Sequence, residues 1–294
     1  MIIDNLKKRS AMLQALREFF YAHDFFEAET PVRIPAPAPE EYIEAVSADN
    51  GFLRTSPELA LKRLLAAGGE RFFELGKAFR SGECGRKHRE EFTILEYYAA
   101  GWDYRKLAAF TAELFAAAAS GVCGSPRVEF QGKTLDLEKV EYITVNEAYE
   151  KYAGVSAFAA DADGSFDEIM VTKVEPELGE NGITFLIDYP AARASLSRLS
   201  AADPRVAERW EVYISGIELG NAFGELVDAA EQKRRFAAAY EFRAGQGMKP
   251  YPEPRDFYEA LERGIPEASG CAVGVDRLAM ILCDAPDIAL VRWE

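Results

Sequence analysis

Histidine and cysteine are scarce in this chain of 294 residues, which has two histidines and four cysteines. The cysteines, at positions 84, 123, 271 and 283, form no Cys-x-x-Cys pair. This pattern argues against a structural zinc site and against a secreted disulfide scaffold. The N-terminus lacks the apolar run of a signal peptide, and the alanine-rich stretch 107–119 contains Glu113 and is too short to span a bilayer. We expect a cytoplasmic protein with no membrane partner.

Positive charge is also in deficit, because 34 Lys and Arg residues face 49 Asp and Glu residues and leave a net charge of −15. Broad, non-specific nucleic-acid binding needs a positive surface, so that class is disfavoured, although a local basic site is not. Apolar residues make up 49% of the chain and charged residues 28%, as in ordinary globular enzymes. Length alone favours about two domains. No repeat or long linker divides the chain, however, and we expect one domain over 1–294.

The predicted strands do not alternate regularly with the predicted helices. We predict strands at 71–79, 92–98, 184–188, 209–223 and 271–275, and helices at 5–22, 56–68, 103–119, 145–152, 228–243 and from Asp276 onward. Two neighbouring strand pairs are joined by loops that are too short for a parallel crossover. The pattern therefore predicts an α+β fold, with helices packed on an antiparallel sheet.

The loop 80–89 is basic within an acidic chain. It contains Arg80, Arg86, Lys87 and Arg89 against Glu83 alone, a local charge of +3. Concentrated positive charge between two strands suits a polyanion such as a triphosphate. The alternative is a solvated hairpin tip.

The strand that follows this loop carries an aromatic ring and a carboxylate on one face. Side chains alternate along a strand, so Phe92, Ile94, Glu96 and Tyr98 point the same way. Such a face could stack a base and contact a polar substrate. The alternative is a half-buried strand in which Glu96 meets an arginine.

A second constellation surrounds the dipeptide Ser215-Gly216. If these residues form a two-residue hairpin turn, Tyr213 pairs with Glu218 and Glu211 lies diagonally beside Glu218 on the same face. Two carboxylates so placed repel unless a cation lies between them. Magnesium accepts one or two carboxylates together with substrate phosphates. The alternative is that both glutamates lie on a solvated face.

Further along this strand lie Asn221 and Glu225, which differ from Glu218 in parity. A bulge at Gly220 or Gly224 would bring all three side chains to one pocket. A buried carboxylate there could hold a substrate ammonium. Leaving such a charge unpaired costs on the order of 3–5 kcal/mol, which would discriminate strongly between ligands. The alternative is a surface glutamate.

The segment from Gly270 to Arg277 runs from a strand into a helix, with an arginine in the first helical turn. Helix N-termini attract anions, and arginine adds a forked donor. Alone, this segment is weak evidence for an anion site.

Taken in order, these segments resemble the catalytic core of class II aminoacyl-tRNA synthetases, specifically the lysyl branch. The segment Phe26-Glu-Ala-Glu-Thr-Pro31 and the helix before it resemble motif 1, which forms dimers. The other matches are motif 2 from Phe79-Arg80 through Glu96, motif 3 from Gly270 to Arg277, and the lysine-site strand from Glu218 to Ala229.

The resemblance is closer to the elongation factor P–(R)-β-lysine ligases, paralogues without the N-terminal anticodon-binding barrel. Motif 1 begins near residue 5 here and leaves no room for that barrel. The segments Thr55-Ser-Pro-Glu58 and Gly216-Ile-Glu-Leu219 look like versions found in these ligases. Ala272 also fits, because lysyl-tRNA synthetases have glycine there. An added methyl group can shift selectivity by roughly 1–3 kcal/mol.

The resemblance implies ATP and Mg²⁺ as co-substrate and cofactor, and roles for individual residues. Arg80 would grip the α-phosphate and Arg277 the γ-phosphate as catalytic residues, while Glu211 and Glu218 would bind the metal. The implied ATP contacts are Arg80, Glu83, His88, Phe92, Glu218, Leu219, Gly274 and Arg277. The implied amino-acid contacts are Ser56, Pro57, Glu58, Glu96, Tyr98, Asn221, Glu225 and Ala272.

The implied reaction adenylates (R)-β-lysine, or lysine, and transfers it to a lysine of elongation factor P, a protein shaped like tRNA. The enzyme would be a homodimer, and tRNA is not an expected partner. Two alternatives are a free-standing enzyme that charges tRNA or another amine, and a catalytically silent paralogue that serves as a regulatory subunit. Motif 2 departs from its usual form at two places, with Glu83 one position late and Arg89 in place of an asparagine.

Overall fold

The computed structural model describes residues 2–293 as an α+β fold built on a large mixed sheet. Its strands are β1 (Phe26–Glu27), β2 (Arg33–Ile34), β3 (Ser47–Ala48), β4 (Gly51–Leu53), β5 (Arg71–Phe79), β6 (Glu91–Ala100), β7 (Arg127–Phe130), β8 (Lys133–Asp136), β9 (Val140–Thr144), β10 (Ile183–Pro190), β11 (Val206–Ile214), β12 (Ile217–Gly224) and β13 (Ala268–Gly274). Its α-helices are α1 (Ile2–Ala22), α2 (Glu58–Ala66), α3 (Tyr104–Cys123), α4 (Val145–Ala153), α5 (Ala157–Asp163), α6 (Phe166–Ile169), α7 (Ala229–Gly245), α8 (Arg255–Arg263) and α9 (Val275–Leu282).

The main sheet has the strand order β1-β5-β6-β13-β12-β11-β10-β9. The six central strands pair antiparallel, as the sequence predicts. At the two edges, β1 pairs with β5 and β9 pairs with β10 in parallel. The expected sheet is therefore correct at its centre and wrong at its edges, where short strands pair with segments about forty residues away and give no local signal.

One face of the sheet is covered by α1, α3 and α9, and the largest apolar core lies there. Side chains of β6 alternate, so Leu95 and Tyr97 enter this core while their neighbours face the other way. Phe20 of α1 stacks on Phe73 of β5 with ring centroids 4.4 Å apart. Each such buried side chain contributes about 1.5–3 kcal/mol. This packing holds the sheet in place, so that its opposite face can form the floor of a cavity.

Helix α3 begins where predicted but runs longer. The Asp103 side chain caps it by accepting from the Lys106 backbone N–H at 2.7 Å, and the helix ends at Gly124, whose φ is 71°. By length and composition its 20 residues could cross a membrane, unlike the shorter stretch 107–119. Half of its most apolar window is buried, and the Trp210 indole donates to the Tyr104 carbonyl at 2.7 Å. It therefore packs as a core helix of the fold.

Residues 125–182 contain a β7–β8 hairpin, which packs against α3 and α9, and short helices that cover the β9–β10 edge of the sheet. The hairpin turns at Gln131 and Gly132, with φ values of 49° and 78°. Helix α4 begins at a capping box in which Thr144 and Glu147 bond reciprocally. A second, smaller core lies beneath these helices. This region gives the sheet edge a cover, and its side chains do not line the cavity described next.

Candidate active site

The face of the sheet opposite the main core holds a cavity of about 220 Å³. Most of the residues singled out in the sequence line it. They are Ser56, Glu58, Arg80, Glu83, His88, Phe92, Glu96, Tyr98, Glu218, Leu219, Asn221, Glu225, Ala272, Gly274 and Arg277. Two do not. Pro57 lies at the start of α2 and faces a separate groove, and Glu211 lies outside the lining.

Strand β6 supplies four lining side chains in the alternation expected from the sequence. Phe92, Ile94, Glu96 and Tyr98 all reach the cavity. The strand pairs with β5 on one side and β13 on the other, which holds this row of side chains rigidly. The predicted alternation is confirmed, because these four side chains share one face of β6, while their functional roles stay predictions.

The β11–β12 hairpin turns at Ser215 and Gly216, both with positive φ, and Tyr213 pairs with Glu218 as predicted. Val212, the next residue back, pairs with Gly220, so an extra residue bulges from β12 between Glu218 and Gly220. This bulge brings Glu218 and Asn221, which would point to opposite faces of a regular strand, to the same face of the sheet. Both Glu218 and Asn221 consequently reach the cavity from one strand.

The carboxylate of Glu211 is held by its own strand. Its two oxygens accept from Arg209 Nη2 and from the Tyr213 hydroxyl, each at 2.6 Å. Opposite Glu211 in the register is Asn221. Burial and then the charge of Glu211 raise the pKa of Glu218, so the two carboxylates do interact. Glu211 therefore lies on the same face of the sheet as Asn221, outside the cavity lining but near enough to Glu218 to repel it.

At one end of the cavity two carboxyl groups pair with a single ammonium, and a third carboxyl group lies nearby. Lys62 Nζ lies 2.7 Å from Glu58 Oε1 and 2.6 Å from Glu225 Oε2. Burial disfavours the lysine charge, but the carboxylates of Glu225 and Glu58 raise its pKa above the usual range. Glu96 is the third acid, 2% exposed. Acid groups outnumber the cation here by two.

Glu96 has hydroxyl partners and no ion pair within residues 2–293. Ser56 Oγ donates to it at 2.7 Å and the Tyr98 hydroxyl at 2.6 Å. Burial, followed by the charge of Glu58, raises the pKa of Glu96 to about 8. Burial likewise raises the pKa of Glu225 to about 7, and no hydrogen bond from the described chain reaches its Oε1 atom. Groups of this kind gain most from a bound cation.

The absence of a side chain at Gly270 makes room for this end of the cavity. A Cβ atom there would overlap the Tyr98 ring and lie 2.6 Å from Glu225 Oε1. Two residues along β13, Ala272 pairs with Asn221 on one side and Glu96 on the other. The methyl group of Ala272 therefore lies between two polar side chains of the cavity floor.

The other end of the cavity is cationic. Arg277 Nη1 donates to the Glu218 carbonyl at 2.8 Å and to its carboxylate at 3.2 Å. Its Nη2 lies 2.6 Å from His88 Nε2. Since arginine only donates, His88 accepts with a neutral ring, and burial followed by the Arg277 charge lowers the pKa of His88. The Arg80 guanidinium lies 5.1 Å from the centroid of the Phe92 ring.

Some of the basic side chains in the loop 80–89 line the cavity, and others donate to nearby backbone carbonyl groups. Arg80, Lys87 and Arg89 line the cavity, whereas Arg86 donates to the Pro286 carbonyl at 3.3 Å. Arg89 donates to the Gly85 carbonyl at 2.6 Å and to the His88 carbonyl at 2.9 Å. Arg89 thus ties the loop together at the position where related motifs have asparagine.

The cavity combines a cationic end, a flat aromatic ring and an acidic amino-acid-sized end on one antiparallel sheet. The family of class II tRNA synthetases (D, K and N) matches residues 2–293. The chain belongs to this family. Lysine–tRNA ligase of Methylobacillus flagellatus is 38% identical over 95% of the chain and 60% of its own length. The ligases of Variovorax paradoxus and Thiobacillus denitrificans are each 34% identical, over 95% and 96% of the chain.

This class II chain thus spans about three fifths of the length of the curated relatives that it matches, with 60%, 59% and 61% of those proteins covered. The matched region includes every residue of the cavity. The α+β fold and the likeness to the lysyl branch are confirmed by these matches. The roles assigned to single residues stay predictions.

Sequence reasoning missed the buried cluster behind Arg277. Asp276 Oδ1 lies 2.5 Å from Arg9 Nη2, and its Oδ2 accepts from the Thr93 N–H at 3.0 Å and from Arg292 at 3.1 Å. The carboxylate joins α1, β6 and the C-terminal segment at the first turn of α9. This cluster fixes Arg277 relative to Phe92, the residue next to Thr93.

Lys62 was also missed, although a signal exists. It follows Glu58 by four residues on α2, a spacing that places the two side chains together. Its neighbours Leu61 and Leu65 are fully buried, so this lysine lies on the inner face of the helix. A lysine in an apolar helical stripe indicates a buried charge pair.

Proposed function

We propose that the protein activates (R)-β-lysine with ATP and transfers it to a lysine side chain of elongation factor P. The observation that supports activation of a diamino acid is the acidic end of the cavity. Three carboxyl groups share one lysine, so the two carboxyl groups left over would, once ionised, balance the two ammonium groups of such a substrate. The same cavity holds Arg80 and Arg277, which suit the phosphates of ATP.

The first step joins the amino acid to the nucleotide. The carboxylate of the amino acid attacks the α-phosphorus of ATP, an aminoacyl-adenylate forms, and pyrophosphate leaves. Arg80 would stabilise charge on the α-phosphate and Arg277 would hold the γ-phosphate, while adenine stacks on Phe92. No protein nucleophile is needed, because positioning and charge stabilisation carry the reaction. The second step transfers the aminoacyl group to an amine and releases AMP.

The residues present fit a magnesium ion that is completed by substrate oxygens. Glu218 and Glu211 are carboxylates that repel each other, and oxygen ligands of this kind suit Mg²⁺. No cluster of three or more His, Cys, Asp or Glu side chains able to hold a metal occurs among residues 2–293. ATP phosphates would have to supply further ligands. When bound, the metal would neutralise phosphate charge.

Ala272 supports β-lysine over α-lysine as the amino acid. Its methyl group lies between Asn221 and Glu96 on the cavity floor, where lysyl-tRNA synthetases have glycine. A β-amino group is displaced by one carbon from an α-amino group, so a filled position on the floor favours one substrate over the other. An added methyl group in a binding pocket changes the selectivity between two substrates by roughly 1–3 kcal/mol.

The relatives favour tRNA as a second candidate acceptor, because they are named lysine–tRNA ligases. The net charge of −15 opposes a wide RNA-binding surface. Elongation factor P therefore stands as the proposed acceptor and tRNA as its alternative. We also propose a cytoplasmic homodimer formed through α1 and β1, where Tyr21 and Phe26 are about half exposed.

Three measurements test this function. ATP–pyrophosphate exchange is measured with α-lysine and with (R)-β-lysine, and the mass of added elongation factor P and the charging of tRNA are then followed. We expect faster exchange with (R)-β-lysine and a mass increase equal to one β-lysyl group. If exchange is followed by charging of tRNA and not by a mass increase of elongation factor P, tRNA is the acceptor. If neither amino acid supports exchange, the protein is better explained as a silent paralogue with a regulatory role.

A further inference from the structure

A carboxyl group with no assigned role faces the cavity from the proline-rich segment between β2 and β3. This residue, Glu40, lines the cavity together with Arg80 and Glu58. Its carboxylate forms no hydrogen bond and no ion pair with any residue from 2 to 293. Glu41, the next residue, is exposed and outside the cavity. Glu40 is therefore an acid available to a ligand.

The backbone at Glu40 is held firmly, which fixes the point from which its side chain enters the cavity. Arg243 of α7, 2% exposed, donates from Nη1 to the Glu40 carbonyl at 2.8 Å and to the Ile43 carbonyl at 2.9 Å. Its Nη2 reaches the Glu44 carboxylate at 2.7 Å. The Ser81 N–H donates to the Glu44 carbonyl at 2.7 Å. These bonds fix the segment against the loop that follows Arg80.

The charges that face Glu40 place it at the junction of the two ends of the cavity. Burial raises the pKa of Glu40 to about 7, Arg80 and Arg243 oppose this shift, and Glu58 and Glu83 add to it. Glu58 belongs to the amino-acid end and Arg80 to the phosphate end. The carbonyl carbon of an aminoacyl-adenylate, which joins amino acid to phosphate, would lie between those ends.

We propose that Glu40 is the general base of the transfer step. The proposal rests on the proposed function, because it concerns an acceptor that is a protonated amine. Such an amine has no lone pair for attack until it loses a proton, and its ordinary pKa is about 10.4. A carboxylate that titrates near the working pH is suited to take that proton.

The transfer step converts an ammonium group and an adenylate into an amide and AMP. The Glu40 carboxylate accepts one proton from the acceptor ammonium, and the freed nitrogen lone pair attacks the carbonyl carbon of the adenylate. A C–N bond forms and the C–O bond to phosphate breaks, with its electron pair leaving on the AMP oxygen. The nitrogen then loses its second proton to water, and an amide and AMP remain.

The experiment compares Glu40→Gln with the matched control Glu41→Gln in three assays. These assays are ATP–pyrophosphate exchange with (R)-β-lysine, β-lysyl transfer to elongation factor P, and transfer to hydroxylamine. Hydroxylamine is uncharged at neutral pH and needs no base to free its lone pair. We expect Glu40→Gln to keep exchange and hydroxamate formation but to lose about 100-fold or more in transfer to elongation factor P. Glu41→Gln should match the unchanged protein in all three.

The pH profile gives a second readout. Transfer by the unchanged protein should rise with pH and level off near 7, where Glu40 ionises. Transfer by Glu40→Gln should keep rising toward the pKa of the free amine, about 10.4. The proposal is overturned if the variant transfers to elongation factor P at the parent rate, or loses exchange or hydroxamate formation equally. If the unchanged protein itself shows no exchange or no transfer to an amine, the proposed function fails instead.

Discussion

The two ends of the cavity carry opposite charges, and these charges differ in how deeply they are buried. At the acidic end, Glu96 and Glu225 are 2% and 1% exposed, and their pKa values are raised. At the cationic end, the side chains of Arg80 and Arg277 are 26% and 20% exposed and already paired with carboxylates. Deep burial makes an unpaired carboxylate costly, so the first end discriminates among ligands. The more open end can exchange its present partners for phosphate oxygens.

The largest expected effect is at the acidic end. Glu225→Gln keeps the shape but removes the charge, so a bound ammonium loses on the order of 3–5 kcal/mol. We expect amino-acid-dependent exchange to disappear while ATP binding, measured by calorimetry, stays close to normal. Glu259→Gln, an exposed change on α8, is the control. Exchange that survives in Glu225→Gln would show that the ammonium is bound elsewhere.

The reciprocal change at the cationic end is expected to have a somewhat smaller effect. Arg277→Ala removes donors that now reach Glu218 and His88 and that would turn to phosphate. Loss of one such donor group lowers turnover by about 10²–10³-fold. The exchange rate and the KM for ATP should both change, with amino-acid binding preserved, whereas exposed Arg263→Ala should change neither. If Arg277→Ala weakened amino-acid binding to the same extent as ATP binding, the two ends of the cavity would not bind their ligands independently.

A smaller effect is expected from a substitution that changes which amino acid the acidic end prefers. Ala272→Gly should raise exchange with α-lysine relative to (R)-β-lysine by roughly 1–3 kcal/mol. The control is Ala222→Gly on β12, which points into the helix-covered core and should alter stability without altering the ratio. The ratio of kcat/KM for the two amino acids is the measurement. An unchanged ratio would remove Ala272 from substrate selection.

The smallest expected effect is on the pH dependence of stability without ligand. Glu96 ionises at about 8 in the folded protein but at about 4.3 when unfolded. The folded chain therefore binds more protons between these values, and the free energy of unfolding falls as pH rises through them. Glu96→Gln should reduce this slope by about 1 kcal/mol per pH unit, measured by denaturant unfolding at pH 6 and pH 8. Identical slopes would mean that Glu96 is ionised in the empty cavity.

The parts of the site that were predictable depend on local periodicity. The alternation from Phe92 to Tyr98 and the Ser215-Gly216 turn follow from spacing alone, since strand and turn geometry are fixed by the backbone. The sequence allowed a bulge at either of two glycines, and only the register of β12 shows that it precedes Gly220.

Residues brought in from outside the motifs were not predictable in this way. Glu40 lies in a proline-rich segment with no periodicity, and Arg243, its anchor, is some two hundred residues away. The sequence indicates Asp276 only as the start of a helix, although Arg9 and Arg292, from the two ends of the chain, pair with it. Tertiary contacts of this range leave no pattern in a single sequence.

The register of the sheet places Glu211, Asn221, Ala272, Glu96 and Glu74 in one row across five strands. Position 272 is therefore the only small side chain in a line of polar ones. Had β13 slid by one residue, Cys271 or Val273 would stand there with its side chain turned from the core. The substrate preference proposed for Ala272 would consequently be acquired together with correct strand alignment, and a change of one codon would alter the preference without disturbing the alignment.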